Sequence, residues 1–198
     1  MEKTATRGRP REFDTDVALA AALQVFWSKG YDAASLTDLT EAMGITRPSL
    51  YAAFGNKEAL FRQALDLYER EKLAYVQRAL DAPTARAVAE RLLFGTIANI
   101  TSDCPGCLNV IASMTCNGDG STIRQDVQQR TETSRKAIVA RMQRAIDEGD
   151  FNVAVEAEAI TRYLSAVFQG IAVQAGQGVP REELQKIAEA TLALWPGR

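Results

Sequence analysis

An all-α protein is predicted, on three observations. Long stretches with apolar residues three and four apart lie between the six prolines, Pro10, Pro48, Pro83, Pro105, Pro180 and Pro196. No stretch alternates apolar and polar residues as a half-buried strand does, and the one Asn-Gly pair, Asn117-Gly118, sits in a polar segment. Alanine, leucine, glutamine and arginine, all good helix formers, are plentiful.

About nine helices follow from the local signals. Asp14 offers an N-cap to a first helix reaching about Lys29, with Ala18, Leu19, Ala22, Leu23, Val25 and Phe26 on its apolar face and Gly30 ending it. Ser35 and Asp38 form a Ser-x-x-Asp start for a short helix, Leu36 to Met43. Gly44 supplies a turn. Thr46 then caps a third helix, Arg47 to about Ala53, with Pro48 in the first turn, where a missing N–H costs nothing. Asn56 caps a fourth helix, expected to run unbroken from Lys57 to Leu80 for about 36 Å. Pro83 interrupts the pattern.

A fifth helix is expected over about 84–101, a turn at 103–106, a sixth helix over about 107–116 and a polar loop at 117–121. A long seventh helix spans Thr122 to Glu148 and ends at Gly149. The eighth runs from about Val155 to Gln174, and the ninth from Pro180 to before Pro196. Three units are expected: residues 1–56 as an arm and three-helix head, 57–82 as a connecting helix, and 83–198 as a helical body.

Composition narrows the function. The 198 residues include no histidine, so neither a Ser-His-Asp or Cys-His nucleophile nor a His-ligated zinc site can be built. The three cysteines are an odd number and too few for a disulfide scaffold, which suits a reducing cytoplasm. No apolar run approaches the roughly 20 residues of a membrane span. Met1 to Arg11 is polar, without the apolar core of a secretory signal. The net charge of −2 hides a local patch: residues 1–11 carry four cations, Lys3, Arg7, Arg9 and Arg11, against one anion, Glu2.

The second and third helices, joined at Gly44, make a helix-turn-helix. Leu36, Leu39, Ile45, Leu50 and Phe54 are expected to pack inward. Thr37, Thr46, Arg47, Ser49, Tyr51 and Ala52 are expected outward. They offer hydroxyls for phosphates, a guanidinium for base edges and a small methyl that can approach a thymine methyl. A glycine turn between helices is by itself equally the mark of an ordinary αα-corner.

The longer string decides between the two. SLTDLTEAMGITRPSLYAAFGNKEALFRQAL resembles the TetR/AcrR family of transcription regulators, with Trp27, Gly30 and Tyr31 at the end of the first helix. Thr37 to Ala42, Gly44-Ile45-Thr46 and Leu50-Tyr51-x-x-Phe54-x-x-Lys57-Glu58-x-Leu60 follow, so the match covers residues 13–65 without a gap. The resemblance implies a recognition surface of Thr46, Arg47, Pro48, Ser49, Tyr51 and Ala52, with Thr37 and Lys57 on phosphates. It also implies a basic arm, Arg7, Arg9 and Arg11, reaching the adjacent minor groove. Two departures stand out. Arg47-Pro48 replaces the frequent Lys/Arg-Gly or Lys/Arg-Ala, and Ala52-Ala53 replaces residues that are often polar or aromatic.

The resemblance makes residues 83–198 a ligand-binding and dimerisation region. Gly106-Cys107-Leu108, Phe168 to Ala172 and Arg181 to Leu184 resemble an AcrR-like subgroup. For an effector pocket, Cys107, Ile111 and Met114 share one face of the sixth helix, and Phe94, Ile97, Tyr163 and Phe168 lie on neighbouring helices. For any single one of these residues, plain core is the more ordinary reading. Arg130 and Gln169 could orient a ligand, with solvent exposure the ordinary alternative for Arg130. The eighth and ninth helices are implied as the homodimer surface, through Ala166, Ile171, Val173, Ala175, Ile187, Leu192 and Leu194.

The expected function is therefore a homodimeric, cytoplasmic repressor. It would be released from a palindromic double-stranded operator by an unidentified small molecule, with no catalysis, cofactor or metal. One alternative is a regulator that senses redox state through Cys104, Cys107 and Cys116, whose bland counterpart is a turn with buried thiols. Another is an all-α ligand-binding module or enzyme without DNA binding. No paired carboxylates or Gly-rich phosphate loop support it.

Overall fold

The computed structural model describes residues 13–101, 108 and 121–198. The turn at 103–106, most of the sixth predicted helix and the loop after it lie outside these residues, with Cys104, Cys107, Ile111, Met114 and Cys116. So do Arg7, Arg9 and Arg11. Among the described residues the chain is all-α, with nine helices: α1 (Thr15–Ala33), α2 (Leu36–Met43), α3 (Arg47–Phe54), α4 (Lys57–Lys72), α5 (Ala74–Leu80), α6 (Ala85–Ile100), α7 (Ser121–Asp147), α8 (Ala157–Gly176) and α9 (Arg181–Ala193).

The predicted caps form: Asp14 accepts from the amides of Asp16 and Val17, Thr46 from Ser49 and Asn56 from Ala59. Thr84, expected as the first residue of its helix, is instead its cap and accepts from Ala87. At α2 both halves of the capping box are made: the Ser35 hydroxyl takes the Asp38 amide, and the Asp38 carboxylate takes the Ser35 amide. Gly30 leaves helical geometry at φ 77°, as its reading as a terminator required, and one further turn to Ala33 follows it.

Two buried clusters organise the fold. The first gathers α1 to α4 around Phe26, Trp27, Leu39, Leu50, Phe54, Phe61 and Tyr68. Phe26 meets Phe61 edge-on at 4.8 Å, and Trp27 meets Tyr68 at 5.0 Å. Helices of eight residues are marginal alone, so α2 and α3 depend on this packing. Burying each such side chain stabilises the head by about 1.5–3 kcal/mol. The second cluster gathers α5, α6, α8, α9 and the later part of α7 around Leu92, Leu93, Ile97, Met142, Leu164 and Leu184. Leu108, Ile123 and Val127 join the first cluster, whereas Ile138, Met142 and Ala145 join the second, so α7 serves both.

The continuous fourth helix is a correction. It breaks at Leu73 (φ −103°, ψ 4°), giving α4 and α5. Leu73 packs against the first cluster, whereas Tyr75, Val76, Ala79 and Leu80 belong to the second. The helix changes direction where it passes from one core to the other. Buried Arg141 of α7 secures the end of α5 by donating to the carbonyls of Leu80 (3.1 Å) and Ala82 (2.7 Å).

Part of the apolar area assigned to the dimer face is also corrected. Ile171, Ala175 and Leu192 are buried in the protomer's own second cluster. Ile171 and Ala175 lie four residues apart on the inner face of α8. Leu192 continues the row of Leu184 and Ala188 on α9.

Candidate nucleic-acid interface

The turn between α2 and α3 is built by one residue in the left-handed region. Gly44 sits at φ 64°, ψ 30°, and its amide donates back to the last carbonyls of α2. The Ile45 amide returns to the Thr40 carbonyl at 3.1 Å, and Ile45 itself is half-buried against the first cluster. Thr46 then starts α3, with Pro48 in its first turn. Leu50 and Phe54 hold α3 to the core, which leaves Thr46, Arg47, Pro48, Tyr51 and Ala52 exposed. Tyr51 is half open to solvent, at 50%. Ser49 is half-buried, its hydroxyl 2.9 Å from that of Thr46.

The cations on this surface are held in place. Arg47 donates to the Thr37 hydroxyl at 2.8 Å, linking α3 to the first turn of α2. The Lys57 ammonium stands 4.5 Å from the centre of the Tyr31 ring and 3.4 Å from the Asp32 carbonyl oxygen. Lys29 pairs with Asp38 at 2.7 Å. That bond, with the amide and hydroxyl of Ser35, holds the Asp38 carboxyl at about 2, below its ordinary 3.8. Phe13, the first described residue, lies 6.4 Å from Phe54 at the end of α3.

Thr37 of α2 and Arg47 of α3 are thus in contact, Thr46 and Ser49 pair at the start of α3, Pro48, Tyr51 and Ala52 are exposed on the same helix, and Lys57 opens α4 against Tyr31. Two contacts there had no signal in the sequence. Lys29 to Asp38 and Arg47 to Thr37 join residues on different helices, at separations no single helix repeats.

The residues suggested for an effector are more scattered. Ile97 is fully buried, and Phe94 is partly buried against the same cluster. On α8, Tyr163 is 43% exposed, Phe168 is half-buried and Gln169 is exposed. A hollow of about 370 Å³ opens between Leu73, Val76 and Leu80 on one side and Gln129, Arg130 and Thr133 on the other. A separate one of about 620 Å³ lies on α8 and α9, lined by Tyr163, Val179, Ile187 and Leu194. Arg130 is not a solvated side chain: it ion-pairs with Asp66, Glu69 and Asp126.

Comparison with known proteins agrees with this arrangement. Residues 18–64 match the family of bacterial regulatory proteins called the tetR family. The HTH-type transcriptional repressor ComR of Escherichia coli (strain K12) is 34% identical over 196 residues, covering 96% of this chain and 93% of ComR. The HTH-type transcriptional repressor BdcR of the same organism is 30% identical over 181 residues, covering 89% of this chain and 86% of BdcR. A solved structure of the TetR family transcriptional regulator CifR, a cysteine mutant complexed with 26 bp double-strand operator DNA, superposes with a TM-score of 0.89. It is 43% identical and covers 95% of this chain and 100% of that one. Similarity of this degree along nearly the whole length shows that the chain belongs to the TetR family of helix-turn-helix, DNA-binding transcription regulators.

Proposed function

We propose that the protein is a homodimeric repressor of the TetR type that binds an approximately palindromic double-stranded operator and leaves it when a small molecule binds the helical body. The observation that carries this reading is α3. It is held rigidly by Gly44 and the Thr46 cap, with Arg47, Tyr51 and Ala52 turned to solvent. An eight-residue helix so presented enters a major groove. Its guanidinium suits guanine O6 and N7, its small methyl suits thymine, and its hydroxyls suit phosphate. Thr37 and Lys57 flank it as phosphate contacts, and Arg7, Arg9 and Arg11 would add an arm in the minor groove. CifR, 43% identical, is complexed with operator DNA in its own structure.

In this reading residues 1–56 bind DNA, 57–82 connect and 83–198 take the effector and dimerise, all in the cytoplasm and without catalysis. Among the described residues no helix is long and apolar enough to cross a membrane. Two-fold symmetry through α8 and α9 sets the two copies of α3 about 34–36 Å apart, or further in a wider dimer. The effector favours a second arrangement in which α4 moves and that spacing is lost, so effector and operator each weaken the other's binding. An anisotropy titration against DNA upstream of its own gene tests this. Specific, salt-dependent binding is expected, and its absence at every sequence there would overturn the reading.

A further inference from the structure

We propose that Arg130 is a positioning residue for operator binding: it fixes α4 against α7 and so sets the separation of the two recognition helices in the dimer. The proposal rests on the operator-binding reading above. Its basis is a ladder of charges between two helices that are far apart in sequence.

On α4, Glu58, Arg62, Asp66 and Glu69 recur at intervals of three and four and so share one face. On α7, Thr122, Asp126 and Arg130 do the same. The two faces meet rung by rung. Thr122 donates to Glu58 at 3.0 Å, Arg62 reaches Asp126 at 3.3 Å, and Arg130 reaches Asp66 at 2.7 Å and Glu69 at 3.0 Å. Within each helix, Arg62 also pairs with Glu58 at 2.8 Å and Arg130 with Asp126 at 3.0 Å. One guanidinium thus joins three carboxylates, two on α4 and one on its own helix, while its side chain is only 21% exposed. Burial works against the charge on Arg130, yet its bonds to Asp66 and Asp126 outweigh that and raise its pKa above the ordinary arginine value.

The place of Arg130 matters as much as its partners. Ile123 and Val127, two turns and one turn before it, are buried in the cluster of the DNA-binding head. The next core residue on α7, Ile138, belongs to the body. Glu69, its last partner on α4, lies one turn before the break at Leu73. Arg130 therefore closes the ladder where both connecting helices cross between the two cores. Isolated surface ion pairs contribute little, but a shared, half-buried guanidinium differs from them. Removing it leaves Asp66, Glu69 and Asp126 facing one another, with Arg62 the ladder's remaining cation. Like charges across the seam then push α4 from α7. Because α4 begins at Lys57, directly after α3, its displacement carries the recognition surface with it.

The test compares Arg130→Met and Arg130→Lys with the wild-type dimer on two duplexes, a full palindromic operator and an isolated half-site. Arg130→Met is expected to weaken binding to the full operator about tenfold, within the usual range of coupling between sites, and to leave the half-site affinity unchanged. A half-site does not read the spacing between protomers. Arg130→Lys keeps the charge but not the fork and is expected to fall between the two. A parallel loss on both duplexes would show a general defect and overturn the inference, as would full-operator binding unaltered in Arg130→Met. Wild-type protein that binds neither duplex would overturn the operator reading and this inference with it.

Discussion

The Arg47 guanidinium donates to the Thr37 hydroxyl at 2.8 Å, so the first residue of α3 is held by the first turn of α2. A hydroxyl has one donor and two acceptor positions. Thr37 can accept from Arg47 and still donate its proton to a phosphate, so one contact would serve both the phosphate role proposed for Thr37 and the base-reading role proposed for Arg47. Thr37→Val removes both donor and acceptor at nearly constant shape. It is expected to cost about 1–2 kcal/mol of operator binding and to relax the preference at one base pair, whereas Thr37→Ser retains both. Anisotropy titrations against an operator and its single-base variants measure this. Equal discrimination by Thr37→Val and wild type would refute it.

The Asp38 carboxyl is held at about 2 by Lys29 and by the amide and hydroxyl of Ser35, against an ordinary 3.8. A depressed folded-state pKa contributes stability that is complete above the unfolded value and lost as pH falls toward the folded one. Asp38→Asn is therefore expected to destabilise the helix-turn-helix at pH 7, with the difference from wild type shrinking below about pH 4 and closing near pH 2. Amide exchange in α2 across that range is the measurement. A difference that stays constant with pH would mean the carboxylate is not the cause.

Gly95 of α6 lies against the ring of Tyr75 on α5: an added Cβ would stand 2.2 Å from Cδ2 and 2.7 Å from Cε2. The same tyrosine hydroxyl is 3.0 Å from that of Thr96. Gly95→Ala must therefore push the ring away and part α5 from α6, at a cost of about 1–3 kcal/mol. The gain in helix propensity, about 1 kcal/mol, offsets only part of this. Thermal unfolding should show a lower midpoint, and an unchanged or higher one would mean the ring yields freely.

On α8 and α9 the register decides which apolar residues can meet a partner. Val173 is 44% exposed, and Leu194, just past the end of α9, is 80% exposed. Ile171 and Leu192 are buried. Val173→Glu with Leu194→Glu is expected to turn the proposed dimer into folded monomers and so to weaken operator binding. Leu192→Glu alone places a charge in the core and is expected to unfold the body. Sedimentation with circular dichroism separates these outcomes. A double variant that remains dimeric would place the interface elsewhere.

Much of the head was legible because its determinants are local. Asp14, Ser35, Thr46 and Asn56 cap helices through bonds spanning two or three residues, and Gly44 and Gly30 end helices through their own backbone angles. The break at Leu73 was not legible, since leucine and alanine are good helix formers and the bend comes from a change of core. Ion pairs from Arg130 to residues 61 and 64 positions earlier leave no periodic trace either. Ile171 and Val173 look alike in composition, and only the packing of α8 distinguishes them.

Lys57 opens α4 with its ammonium over the Tyr31 ring and beside the Asp32 carbonyl oxygen. It also stands at a helix N-terminus, a position that favours phosphate. If Lys57 neutralises one phosphate per protomer, each contact releases condensed counterions, and the plot of log affinity against log salt has a slope of about −0.9 per contact. Lys57→Ala should weaken binding to all sequences alike and make that slope shallower by about 1 per protomer. Arg47→Ala, by contrast, should weaken binding chiefly to the operator, by about 1–3 kcal/mol, because a base contact discriminates between sequences. Titrations of both variants at several salt concentrations separate the two roles. A Lys57→Ala protein with the wild-type slope would show that this ammonium serves only to seat α4 on Tyr31.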